Sequence, residues 1–120
     1  MSKIRKDIYP VDVVIDLINS KHSRVKLDGD EVRVKGIRMK SFAVNGIKCV
    51  TCGLVGSFFV KEKLPGDNSF HLNLYAVDKD GKEVLMTRDH IQPKSKGGPE
   101  TLENMQTMCT RCNGKKGNKV

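Results

Sequence analysis

The spacing of apolar residues changes several times along the chain, and each change marks an element. After Pro10, the residues Val11, Val14, Ile15 and Ile18 fall at i, i+3, i+4 and i+7, with Asp12, Asp16 and Asn19 between them. That spacing builds one apolar stripe and predicts a helix over about residues 10–20. Pro10 suits its first turn, where a missing N–H costs nothing. Asp12 and Asp16 favour packing of this helix onto a sheet over contact with DNA. Val25, Leu27, Val32 and Val34 then alternate with polar residues around Asp28-Gly29-Asp30, the pattern of a β-hairpin. Its outer face would carry Arg24, Lys26, Arg33 and Lys35, either simply solvated or laid along a phosphate backbone. Residues 1–9 are basic and expected to be loose. Residues 36–48 fit strand and irregular chain equally well.

Further on, the alternation becomes regular. Ser57–Lys63 reads as a strand and Leu64–Asn68 as a loop. In Phe70–Val77, the residues Phe70, Leu72, Leu74 and Ala76 share one face, with His71, Asn73, Tyr75 and Val77 on the other. Asp78–Gly81 is a hairpin turn, and Glu83–Arg88 is the returning strand that delivers Asp89 and His90 at its end. The expected architecture is α+β: an N-terminal helix and hairpin, then an inserted β-meander.

Composition narrows the picture. A chain of 120 residues holds one small domain. We divide it into an accessory part, residues 1–48, expected to contact DNA, and a core, residues 49–120. The chain has no Trp, four Phe and two Tyr, so the core is thin and a staple is expected. No apolar run is long enough for a transmembrane helix. Met1–Asp7 lacks the apolar segment of a secretion signal. The expected setting is a reducing cytoplasm, where cysteines favour metal over disulfides. The net charge of +8 favours a polyanionic partner, held through phosphate contacts.

The chain has four cysteines, paired as Cys49-x-x-Cys52 and Cys109-x-x-Cys112. Two residues between thiols let both sulfurs reach one tetrahedral ion. The residues between the pairs must loop out and return for all four to meet. A four-thiolate site has no open position, so the expected zinc is structural. His22 and His71 are candidate extra ligands, but surface histidines are the better reading of both.

Asp89-His90, followed by Asn104 and Asn113, is where chemistry is expected. Phosphodiester hydrolysis needs an activated water and stabilisation of charge at phosphorus and on the leaving oxygen. The His90 imidazole can take the proton from water. Asp89 offers a carboxylate, and Asn113 an amide oxygen, to a hard divalent ion. Neighbours on a strand point to opposite faces, so Asp89 and His90 can share a site only where the strand ends. Ile91-Gln92-Pro93 and Gly97-Gly98-Pro99 mark that end. Lys94, Lys96, Arg111, Lys115 and Lys116 are candidate DNA phosphate contacts. The helix N-terminus near Thr110 and Arg111 would also favour a phosphate.

Asp89-His90-Ile91-x-Pro93-x-Ser95-Lys96-Gly97-Gly98, then Glu103-Asn104-x-Gln106-x-Met108-Cys109-x-x-Cys112-Asn113-x-x-Lys116-Gly117, resembles the HNH endonuclease family. The likeness is to the members with Asn in the last position and a four-cysteine zinc, and small phage-type nucleases look similar in size. It covers about residues 84–119 together with Cys49 and Cys52. The resemblance implies a ββα-metal (His-Me finger) core: a strand at about 83–91, a loop at 92–103, a short strand at 104–108 and a helix at about 110–117. It makes His90 the general base, Asp89 and Asn113 the ligands of a catalytic Mg²⁺ or Mn²⁺, and Asn104 the residue that holds the loop. It implies a duplex DNA substrate and products with 3′-hydroxyl and 5′-phosphate ends. Competing readings are a zinc-stapled DNA-binding module without activity and a phage packaging-associated assembly module. Retention of Asp89, His90 and Asn113 together favours the nuclease.

Overall fold

The computed structural model describes residues 3–117. Its elements are β1 (Ile4–Pro10), α1 (Val11–Ile18), β2 (Arg24–Leu27), β3 (Asp30–Arg33) and α2 (Ile37–Asn45). They continue as β4 (Gly56–Lys63), β5 (His71–Val77), β6 (Glu83–His90), β7 (Met105–Cys109) and α3 (Thr110–Lys116). Short 3-10 turns at Lys94–Lys96 and Leu102–Asn104 shape the loop between β6 and β7. One sheet runs in the order β1-β4-β5-β6-β7, with every neighbouring pair antiparallel.

The alternation of the second half is used as expected. Leu72, Leu74 and Ala76 are buried, while His71 and Val77 are exposed. The hairpin β2–β3 closes through the turn Asp28-Gly29, whose φ angles of 48° and 90° are both positive. This is the geometry that twists with the strands and that Asp-Gly supports. Helix α1 buries Val14 and Ile18, in keeping with the expected packing role.

Three expectations need correction. Residues 4–10 are not loose: β1 pairs along β4, with Ile8 opposite Val60 and Tyr9 opposite Phe59. The strand shows no local alternation because its distant partners are main-chain bonds and charges. Arg5 meets Glu83 at 2.8 Å, Lys6 meets Asp30 at 2.8 Å and Asp7 meets Lys61 at 2.9 Å. Residues 37–45, undecided from sequence, form α2. It buries Met39, Ser41 and Phe42, and Phe42 packs edge-on to Phe59 with ring centroids 6.2 Å apart. One core therefore runs through both sides of residue 48, joining Val14, Val32 and Phe42 to Leu74 and Met86. Lys35 is not on an outer face either. Its ammonium donates to the carbonyls of Ile18 and Ser20, at the end of α1.

The β6–β7 pair is covered on both sides. Thr107, opposite Arg88, donates its hydroxyl to Gly46 O just after α2, at 2.5 Å. That places Met86, Arg88 and His90 on the α2 face. On the opposite face, the Thr87 hydroxyl accepts from Asn113 of α3 at 3.0 Å, and Asp89 accepts from Lys116 at 2.8 Å.

Candidate active site and metal centre

The meander returns the chain so that Cys49, Cys52, Cys109 and Cys112 place all four sulfurs within 4.8 Å of one another. A tetrahedral zinc with bonds of about 2.3 Å needs sulfurs about 3.8 Å apart. The Cys52–Cys109 separation is 3.8 Å. The donor set therefore fits a closed four-thiolate metal site. Gly53 N donates to Cys49 O at 3.0 Å, which closes the first knuckle. In the second, Cys109 Sγ accepts from Cys112 N at 3.5 Å as the N-cap of α3. Burial pushes the Cys49 thiol up, but the backbone N–H groups of Cys52, Cys109 and Thr51 outweigh it and hold Cys49 at about 6. Burial and the neighbouring sulfurs push Cys112 up to about 12. Crowded thiolates repel one another, and a bound cation is what lets all of them ionise. His22 and His71 are both exposed and outside this cluster.

The last two residues of β6 carry the second constellation. Asp89 is 7% exposed, and its Oδ2 accepts from Gln106 Nε2 at 2.9 Å and from Lys116 Nζ at 2.8 Å. Lys116 also donates to His90 O at 2.8 Å, so α3 is fastened to the strand end. His90 points to the other face, and its Nε2 meets Glu100 Oε1. Glu100 also lies 3.7 Å from Arg88. The hydrogen bond from His90, then the charges of Arg88, His90 and Lys94, hold the Glu100 carboxyl below its ordinary range. Asp89, His90, Pro93, Lys94, Ser95, Lys116 and Gly117 line one open pocket of about 320 Å³.

Asn104 clasps the loop. Its Oδ1 accepts from Gln92 N at 2.9 Å, and its Nδ2 donates to Gln92 O at 3.1 Å and Pro99 O at 2.9 Å. Ile91 N adds a bond to Asn104 O at 2.8 Å. The chain leaving His90 is thereby tied to the chain entering β7. Gly98 makes this possible, because a Cβ there would lie 1.7 Å from Gln92 O.

The other candidate residues are spread along α3 and the loop. Asn113 donates to Thr87, one strand step before Asp89 on the same face. Its position on α3 is three residues before Lys116, which contacts Asp89 itself. Asp89 and Asn113 thus supply a carboxylate and an amide from adjoining places, a donor set suited to a hard divalent ion. Lys94 and Lys116 line the pocket, and Lys96 is exposed in the neighbouring 3-10 turn. Arg111 and Lys115 border the cysteine side instead, where Arg111 pairs with Asp78 at 2.8 Å. The N-terminal turn of α3, expected to favour a phosphate, is occupied by Cys109 sulfur. Glu100 had no signal in the sequence, and Gln106 stood in the family pattern without an assigned role; each meets its partner only through the folded loop and the strand pairing.

Residues 77–119 match the sequence model of the HNH endonuclease family. The matched segment, a little over a third of the chain, holds β6, β7, α3 and the second cysteine pair. Its last residues, Asn118 and Lys119, lie outside the described residues. The family resemblance read from the residues is thereby met over this segment. No curated protein and no solved structure matches the chain. Among the described residues, no helix is long and apolar enough to cross a membrane.

Proposed function

We propose that the protein is a metal-dependent DNA endonuclease in which His90 is the general base. The observation that carries this reading is the shared pocket of Asp89 and His90, flanked by Lys94 and Lys116. With Nε2 engaged by Glu100, the Nδ1 lone pair is the one left to take a proton from water as the oxygen attacks phosphorus. The P–O3′ bond breaks and the departing O3′ takes a proton from solvent water, leaving a 3′-hydroxyl and a 5′-phosphate. Lys94 and Lys116 oppose the negative charge of the phosphate. Asn104 keeps the loop, and so the imidazole, in place.

In this reading Asp89 and Asn113 hold a Mg²⁺ or Mn²⁺ ion, and the cysteines hold zinc. The divalent ion, when bound, supplies charge neutralisation at the phosphate and the departing oxygen. β6, β7 and α3 then serve as a ββα-metal core. The contact of Lys116 with Asp89 favours one competitor, a zinc-stapled DNA-binding module, since a cation already neutralises the carboxylate.

The two readings separate in a plasmid assay. Zinc-loaded protein should nick supercoiled DNA with Mg²⁺ or Mn²⁺ and not with EDTA. His90→Ala should lower the rate by roughly a hundredfold or more, the loss expected of a general base, with zinc content unchanged. Equal cutting by both proteins would remove His90 from its role. No cutting by either, across several DNA forms, would leave the binding module.

A further inference from the structure

Away from the His90 pocket, the hairpin β2–β3, the start of α2 and the entry to β5 enclose a cleft of about 320 Å³. Its walls include Arg24, Arg33, Arg38, His71 and a single carboxylate, Glu31. Arg24 and Arg33 stand directly opposite each other across the hairpin. Like charges in that position repel. Glu31 pairs with Arg24 at 3.4 Å, and among the described residues Arg33 and Arg38 have no carboxylate partner.

Arg38 repeats the imbalance. Its guanidinium is half-buried and donates to Leu72 O at 2.8 Å, with the Phe42 ring 5.8 Å away. Burial, and then the charge of Arg88, push its ionisation below the ordinary arginine range. Gly36 lines the cleft as the N-cap of α2, and no side chain caps that helix. A like-charged pair, a third arginine without a carboxylate partner and an uncapped helix start therefore converge where the cleft holds one carboxylate. That arrangement is stable where a further anion completes it, and planar guanidinium donors match phosphate oxygens.

We propose that this cleft binds a backbone phosphate of the nucleic-acid strand, at a distance from the phosphate attacked at His90. Arg88 stands beside the second place, on the α2 face of β6, where it approaches Glu100, the partner of His90. A strand lying over the α2 side of the sheet would meet Arg33 and Arg38 first, then Arg88, then the pocket. The proposal rests on the nuclease reading only for the identity of the strand.

The test uses the full zinc-loaded chain and a fluorescent DNA duplex, with anisotropy read over a range of KCl. His90→Ala serves as background, so that binding is read without cleavage. Adding Arg33→Gln should weaken binding roughly fivefold or more and reduce the log–log salt slope by about 1, the loss of one phosphate contact. Arg38→Gln should do the same where zinc content shows that it is folded; Arg33 is exposed, so its result stands without it. Lys79→Gln, in the turn at the other end of β5, removes the same charge and should change the slope far less.

An Arg33→Gln slope equal to that of the background, or equal losses from Arg33→Gln and Lys79→Gln, would overturn the proposal. Inorganic phosphate distinguishes a free-anion site. Saturation of the cleft by phosphate at micromolar concentration, with DNA binding undisturbed, would also overturn it. Wild-type nicking is measured separately, so an inactive protein whose DNA binding still depends on Arg33 would refute the nuclease reading and keep the cleft.

Discussion

At the scale of single residues, the loop after His90 depends on contacts too close for substitution. Gly98 lies where an added Cβ would meet Gln92 O at 1.7 Å and Asn104 Nδ2 at 3.0 Å. Backbone cannot move aside without opening the Asn104 clasp. Gly98→Ala should therefore cost roughly 1–3 kcal/mol, the usual cost of overpacking, and should reduce nicking more than that loss of stability explains. Gly114 is the matching control. It lies in α3 with nothing within 4 Å of an added Cβ. Gly114→Ala should leave stability equal or raise it by about 0.5–1 kcal/mol. Urea unfolding of both variants, beside the plasmid assay, checks the pair. The cysteines, Asp89 and His90 were legible in the sequence because their chemistry is carried by type and spacing. Glu100 was not, because it is ten positions from His90 and reaches it only when the loop closes.

At the scale of elements, β4 holds two adjacent buried charges on opposite faces. Glu62 is met by Lys3 at 3.2 Å, Arg5 at 3.3 Å and Asn73 at 2.7 Å. Lys61, 0% exposed, is met by Asp7 and Asp30 at 2.9 Å each and by Leu27 O at 2.6 Å. Through Lys61 the central sheet is tied to β1 and to the β2–β3 hairpin. Removing one partner of a buried pair leaves the others uncompensated. Lys61→Ala should cost roughly 3–5 kcal/mol in urea unfolding, and a cost under about 1 kcal/mol would show these charges to be solvated. The same contacts explain what the sequence hid. β1 is specified by partners 19 to 78 residues away and not by its own pattern. α2 begins at Gly36 with no capping side chain and buries Ser41 among its apolar residues, so neither a start signal nor a clean stripe was present. The meander and α1 were readable because each repeats its own period.

At the scale of the molecule, the cysteine cluster joins the loop before β4 to the junction of β7 and α3. Structural zinc sites of this type contribute apparent binding energies on the order of 10–16 kcal/mol, as large as the whole stability of a typical small domain. Removal of the metal by a chelator should release first what the cluster fastens. Hydrogen exchange should lose protection in α3 and β7 while β4 and β5, paired from Gly56–Ala76 to Glu62–His71, keep theirs. Uniform loss along the sheet would mean that the metal holds the whole fold, and no loss would mean that it holds none.

The placement of Asp89 and His90 on opposite faces of one strand end also limits how the chain can change in length. Faces alternate with every residue, so adding or deleting one position between Thr87 and Asp89 would exchange the two sides. The carboxylate would then turn toward Glu100 and the imidazole toward α3. The bond from the Thr87 hydroxyl to Met108 O, at 2.8 Å, holds the register that prevents this. The turn Asp78–Gly81 is under no such constraint, because the next strand can restart there on the same pairing. A length change in that turn should therefore leave Asp89 and His90 on their present faces, whereas one between Thr87 and Asp89 should not.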